Sequence, residues 1–400
     1  FSGSRLNFAQ NLLRYRDDRA ALIFNGESQV FRKMTYQELY DEVARIAKSL
    51  KAAGVEKGDR VVGFMPNMPE TIVAMLAAAS MGATWSSCSP DFGIKGVLDR
   101  FGQIQPKVLF TADCYFFKGK KIGSLERISN ILKELPSIQK LVVVPYTGET
   151  PDIDGISTAV LYSAFRSPDD DLSIQFEPLP FDHPLYIMYS SGTTGLPKCM
   201  VQSAGGILVH HLKELILHTD LKREDTIFYF TTCGWMMWNW LVSSLAVGAT
   251  LVLYDGNPFH PSSDVLWQMA QDEKITVFGT SAGYIAALQS AGGILIHHLK
   301  ELILHTDLSR EDTIFYFTTC GWMMWNWLVS SLATGATLVL FDGNPFHPSP
   351  KALWQMAQDE KITVFGTSAG YLAALQAAGV RPTDEFDLAP LRAVLSTGSP

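Results

Sequence analysis

From Thr35 to Gly54, in "TYQELYDEVARIAKSLKAAG", apolar residues recur at helical spacing on a polar background, which predicts a helix. Thr35 stands three residues ahead of Glu38, a capping-box start, and Gly54 supplies the stop. The run "DRVVGFMP" then predicts a short buried strand, and "PETIVAMLAAASMGA" a helix ending near Gly82. "KVLFT" and "KLVVVP" predict two more strands, separated by helical segments. Short β-rich runs alternating with longer helices indicate an α/β fold with a doubly wound sheet. "SPDDDLSIQFEPLPFDHP" breaks the pattern: acidic, proline-containing and weakly periodic, it reads as a connector.

Beyond the connector the pattern repeats itself. Residues 203–289 and 290–376 align without a gap at an offset of 87 and differ at eight positions. These are Val209/Ile296, Lys222/Ser309, Val247/Thr334, Tyr254/Phe341, Ser263/Pro350, Asp264/Lys351, Val265/Ala352 and Ile285/Leu372. Most swaps keep size and polarity, so both copies carry the same design. Each copy predicts a leading helix, "GILVHHLKELILHT" in the first, and then a βαβαβ pattern with strands "TIFYFT", "ATLVLYD" and "ITVFGTS". "QSAG" at Gln202 and Gln289, with "QAAG" at Gln376, marks the boundaries. Natural repeat arrays show degenerate copies and atypical caps, so a slipped duplication or a mis-joined assembly explains the pair better. One sheet position cannot hold both copies, so one is expected to fill it and the other to be extruded or to form an appended α/β body.

Two features of this region could mislead. No charged residue occurs from Thr226 to Tyr254, a run long enough to span a bilayer. Gly234, Asn239, Ser243, Ser244, Gly248 and Thr250 divide it, so a buried strand–helix–strand accounts for it at lower cost, with a transporter-like protein as the rival. The pair His210–His211 with His218 resembles a metal cluster, but that spacing does not converge on one ion, which leaves packing or surface histidines.

Composition narrows the classes. Apolar residues make up 47% and charged residues 18% of the 400, as in a soluble enzyme rather than a disordered chain. With 32 basic against 40 acidic residues the formal charge is −8, which argues against nucleic acid as the main partner. The five cysteines have neither disulfide-like nor metal-ligand spacing, so a reducing cytoplasm is the expected location.

Chemistry concentrates in "YSSGTTGLPKCM", residues 189–200. Gly192 and Gly195 leave room for phosphate oxygens beside the main chain. Ser190, Ser191, Thr193 and Thr194 add hydroxyl donors, and Lys198 adds a mobile positive charge suited to a polyphosphate. Pro197 and Cys199 exclude the commoner loop G-x-x-x-x-G-K-[ST]. An ordinary Gly/Ser/Thr turn is the plain alternative.

The full string resembles the phosphate loop of the adenylate-forming enzymes (acyl-CoA synthetases, peptide-synthetase adenylation domains and luciferases), whose pattern is [YF]-[ST]-S-G-T-T-G-x-P-K-G. Only the last glycine differs, replaced by Cys199; Gln202 stands where a histidine is frequent. "RLNFAQNLL", "WSSCSPDFG", "TTCGWMMWNWLVSSLA" and "LSTGSP" narrow the resemblance to the acetoacetate-activating acyl-CoA synthetases. It implies the large N-terminal domain of those enzymes, with stacked doubly wound sheets, and a C-terminal lid domain lying beyond Pro400. The expected division is an α/β subdomain over 1–180, a phosphate-loop subdomain over 181–289, the second copy over 290–376, and the start of the adenine-binding region over 377–400.

The resemblance also implies the reaction: ATP, with Mg²⁺, activates acetoacetate to acetoacetyl-AMP, and CoA then takes the acyl group. Lys198, Thr193 and Thr194 are the implied catalytic residues, within a phosphate-binding set that adds Ser190, Ser191, Gly192 and Gly195. Gly398, Ser399 and Pro400 would line the adenine. Trp235, Met236 and Met237, or their twins Trp322, Met323 and Met324, would narrow the acyl pocket; core packing of an amphipathic helix is the alternative. No metal ligand is assigned. The chain starts without Met and stops at "LSTGSP", so it is expected to be a fragment, inactive alone. Another short-chain acyl-CoA synthetase and a non-catalytic acyl- or nucleotide-binding relic remain open.

Overall fold

A computed structural model describes the chain except residues 2, 28–29, 157, 191–194, 289–297, 321 and 398–400. It forms two compact units, Phe1–Ser281 and Ala282–Pro400.

In the first unit a seven-stranded sheet has at its centre Arg60–Phe64, parallel to Thr84–Cys88 on one side and Val108–Ala112 on the other. Beyond Thr84–Cys88 come Pro184–Ser190, also parallel, and antiparallel Lys198–Ser203 at the edge. A second, five-stranded sheet runs Val277–Gly279, Thr226–Tyr229, Thr250–Asp255, Ala20–Gly26, Val30–Thr35. Helix Pro69–Ser80 is apolar on every face beyond its first turn and buried along nearly its whole length, as a helix enclosed by other elements must be. Helix Tyr36–Ala52 starts at the expected capping box: Thr35 Oγ1 accepts from Glu38 N at 3.1 Å, and the Glu38 carboxylate accepts from Thr35 N at 2.7 Å. Gly54 follows it at φ +78°, open to glycine without strain.

The charge-free run is divided as its polar residues suggest, into strand Thr226–Tyr229, helix Met236–Ser243 and strand Thr250–Asp255. Among the described residues no helix is long and apolar enough to cross a membrane.

The two copies keep their secondary structure but meet different surroundings. Three strands of the second copy, with Ala393–Thr397 from beyond it, form a four-stranded parallel sheet in the second unit, ordered Thr337–Val339, Thr313–Tyr316, Val364–Ser368, Ala393–Thr397. In the first copy Thr250–Asp255 is flanked on its outer side by Ala20–Gly26; the matching strand Thr337–Val339 is an edge and only half as long. Side chains follow the backbone. Leu245 and Leu253 are fully buried, whereas their twins Leu332 and Leu340 are each 61% exposed. Removing a leucine from water is worth about 1.5–3 kcal/mol, so nearly identical sequence yields unequal stabilisation where the strand Ala20–Gly26 and the helix Phe8–Leu12, which flank the first copy, have no counterpart among the described residues.

Candidate functional site

The phosphate-loop string is built as a hairpin. Pro184–Ser190 pairs antiparallel with Lys198–Ser203, and Ser190 lies opposite Lys198 in register. Lys198 thus opens a strand rather than ending a turn, and its side chain is exposed. Gly195 adopts φ +102° with open space where a Cβ would stand. Gln103 Nε2 donates to Pro197 O at 2.9 Å, which fastens the return limb. Ser191, Gly192, Thr193 and Thr194 lie outside the described residues, as do Gly398, Ser399 and Pro400; Ala393–Thr397, which leads into that last trio, is a strand of the second unit.

The hairpin leaves the sheet at the carboxyl ends of parallel strands, the usual position for ligand sites in open α/β sheets. Neighbouring serines of the buried strand Thr84–Cys88 hold the adjoining strand and a loop there. Ser86 Oγ donates to Ile187 O at 2.9 Å and shares a 3.2 Å hydrogen bond with the Tyr189 hydroxyl. Ser87 Oγ donates to Cys233 O at 2.6 Å, directly ahead of Trp235. Successive strand residues point to opposite faces, so this pair ties the phosphate hairpin on one side and the aromatic segment on the other. Burial pushes the Tyr189 phenol well above its usual range, so it stays neutral. The Arg100 guanidinium sits 5.7 Å from its ring centroid, a second positive charge near the hairpin's base.

Trp235 stands just before helix Met236–Ser243 and is 67% exposed; Met236 is exposed and Met237 half-buried. Trp322 and Met323 are likewise exposed and Met324 half-buried. What is buried in the first copy is the next turn: Trp238 donates its indole N–H to Asn67 Oδ1 at 2.8 Å. Cys233 lies under the same segment, its thiol 2.9 Å from Met65 O and pushed upward by burial, hence unreactive. Among the described residues no three His, Cys, Asp or Glu side chains converge as a metal site, so the histidine pair does not form one. His211 is instead buried, with Nδ1 2.8 Å from Ser243 Oγ. Ser86, Ser87 and Asn67 were not singled out from the sequence; polar residues inside all-buried runs were the available signal.

A model of the AMP-binding enzyme family matches residues 8–302. The chain belongs to the AMP-binding enzymes. The acetoacetyl-CoA synthetase of Danio rerio is 50% identical over 354 residues, covering 85% of this chain and 52% of that protein. The acetoacetyl-coenzyme A synthetase of Rhizobium meliloti is 52% identical over 328 residues, 79% of this chain and 50% of that protein. Among solved structures, acetoacetyl-CoA synthetase from Streptomyces lividans matches with a TM-score of 0.61 and 36% identity, over 99% of this chain and 47% of that one. This AMP-binding enzyme therefore spans about half the length of the curated relatives it matches. Its parallel sheets and mixed α/β order agree with the expected N-terminal domain.

Proposed function

We propose that this chain is the nucleotide-gripping part of an acid–thiol ligase that activates acetoacetate with ATP and passes the acyl group to CoA. In the first step the acid's carboxylate oxygen bonds to the α-phosphorus and pyrophosphate leaves. In the second, the CoA sulfur bonds to the acyl carbon, AMP leaves, and the thiol proton goes to solvent. The first step joins two anions, so charge neutralisation and alignment dominate its barrier. Lys198, exposed at the mouth of the hairpin and backed by the left-handed turn at Gly195, supplies the positive charge toward the β- and γ-phosphates. Ser190, Ser191, Thr193 and Thr194 add hydroxyl donors, with Gly192 giving access to the main chain. Gly398, Ser399 and Pro400 are assigned to the adenine face, and Trp235, Met236 and Met237 (or Trp322, Met323 and Met324) to the acyl group.

Mg²⁺ would supply charge neutralisation at the phosphates, but the described residues offer no converged acidic set to hold it, and no step is assigned through it. The observation that carries the reading is the Ser190–Lys198 register of the hairpin within an AMP-binding enzyme.

Taken alone, the chain is proposed to bind ATP without turning over acetoacetate, even to the adenylate. Titration calorimetry with ATP, paired with acetoacetate-dependent ATP–pyrophosphate exchange, tests both parts. Binding without exchange is expected. Absence of ATP binding overturns the phosphate-hairpin assignment, and robust exchange with acetoacetate overturns the partial-machine reading. Exchange with another short acid in place of acetoacetate would reassign the substrate.

A further inference from the structure

The second unit carries an apolar face whose natural cover can be read from the first unit, because the two copies differ at only eight positions. In the first copy strand Thr250–Asp255 is paired along Leu251↔Leu22, Val252↔Ile23, Leu253↔Phe24. Val242, Leu245 and Leu253 are completely buried there. In the second copy their twins Val329, Leu332 and Leu340 are exposed, and Thr337–Val339 has no outer neighbour among the described residues. From Thr313 to Phe341 there is no charged residue and no proline. Natural edge strands are guarded by shortness, lysine, proline, bulges or a covering element; here, among the described residues, the strand is short, at 3 residues, and the other devices are absent.

Two occupants can be compared. The hairpin formed by Ala20–Gly26 and Val30–Thr35, taken from another molecule, would fit the edge. It would also bare that molecule's own Thr250–Asp255, so the number of uncovered faces stays the same and nothing drives the exchange. A second copy of the uncovered edge is different: it brings its own unpaired backbone groups and leucines, and it removes two bare faces at once. Because this segment is uncharged, self-pairing meets no like-charge opposition.

We propose that Thr337–Val339 is a dimerisation edge, pairing antiparallel with the same strand of a second copy of this chain across a two-fold axis. The two four-stranded sheets then form one continuous eight-stranded sheet, with Val329, Leu332 and Leu340 packed against their counterparts. Such an isologous contact closes on itself and stops at two.

Sedimentation velocity over about a hundredfold concentration range tests this. A reversible monomer–dimer equilibrium is expected, and the Leu332→Glu/Leu340→Lys double variant remains monomeric with unchanged circular dichroism, since both sites are already exposed. Site-directed cross-linking reads the geometry in a Cys199→Ser/Cys320→Ser background: Leu338→Cys alone should give a disulfide-linked dimer. A monomeric parent at all concentrations, open-ended aggregation, or a double variant that still dimerises overturns the proposal. So does intermolecular linkage of Leu338→Cys to Leu22→Cys in place of the self-linked product, which would mean exchange of the N-terminal hairpin.

Discussion

Trp238 gives its indole N–H to Asn67 at 2.8 Å, with both residues buried in the first unit. Its twin Trp325 occupies the same place in an identical helix sequence and is only half-buried. Helix propensity and pattern are therefore equal, and the difference lies wholly in what packs on top. Trp238→Phe removes ring volume and strands the Asn67 carbonyl, a combined cost of about 2–4 kcal/mol. Trp325→Phe should cost less than about 1 kcal/mol. Urea unfolding followed by probes in each unit should show the first variant lowering only the first unit's midpoint. Equal effects of the two variants would mean that the copies are equivalently packed after all.

Lys198 and Gly195 separate charge from shape in the hairpin. Lys198→Ala deletes a charge-assisted contact to phosphate and should weaken ATP binding about tenfold or more, with little change in melting temperature because the side chain is exposed. Lys198→Arg keeps the charge and should retain part of the affinity. Gly195→Ala should also weaken binding, through a backbone angle of +102° that alanine adopts only at a cost of about 1 kcal/mol or more. Calorimetric titration of the three variants checks this; full affinity in Lys198→Ala removes the lysine from the phosphate site.

Arg392 gives the second copy an anchor that the first lacks. Its Nε and Nη2 bond the two oxygens of Asp312 at 2.9 and 2.8 Å, and the guanidinium also reaches Thr306 O and Asp307 O. The arginine holds the Asp312 carboxyl far below the usual range. The matching Asp225 bonds only to Thr276 and the Lys222 backbone among the described residues. Arg392→Ala should lower the second unit's stability by about 1–2 kcal/mol, discounted because the arginine is about one-third exposed. The folded carboxyl is depressed, so this contribution is complete above the ordinary aspartate range and fades only in strong acid. Thermal scans at neutral pH with and without the substitution measure it.

Much of the first unit was legible because local signals and burial agree. The capping box at Thr35 and Glu38, the stop at Gly54 and the largely apolar helix from Pro69 each follow from residue chemistry alone. The division of the charge-free run was legible for the same reason: Gly234 and Gly248 interrupt it where the chain turns. Strand Ala20–Gly26 was not, because its parallel partner, Thr250–Asp255, lies more than 200 residues away and no local pattern encodes that pairing; Val30–Thr35, the antiparallel neighbour of Ala20–Gly26, went unread with it. The roles of Ser86 and Ser87, which stand inside "WSSCSPDFG", were hidden for a related reason. A hydroxyl in a buried strand signals a partner, but not that the partner is Ile187 on one face and Cys233 on the other. The histidine pair had no local signature of its true role either, since His211 depends on Ser243 in a different helix.

Asp255 and His211 should give the first unit an unusual pH profile. Asp255 is half-buried at the end of its strand, accepting from the Tyr146 hydroxyl at 2.8 Å, and desolvation there pushes its carboxyl from 3.8 up to about 7. Between about pH 4 and about 7 the folded chain therefore holds a proton that the unfolded chain has released, so stability falls as pH rises through that window. Burial moves His211 the other way, from 6.5 down to about 4. There the unfolded chain binds the extra proton, so stability falls as pH drops from 6.5 toward 4. The two slopes oppose each other across most of the same range, and the parent's first transition should be nearly flat. Asp255→Asn keeps the hydrogen bond from Tyr146 while removing the titration, which exposes the histidine slope: its urea midpoint should rise steadily from about pH 4.5 to about pH 6.5. His211→Gln should show the mirror image, a midpoint falling across that interval. Asp342, the exposed twin of Asp255, supplies the control, because Asp342→Asn should leave both profiles unmoved. Should Asp255→Asn stay as flat as the parent, the carboxyl is ionised in the folded chain and its burial has been offset by a group other than Tyr146.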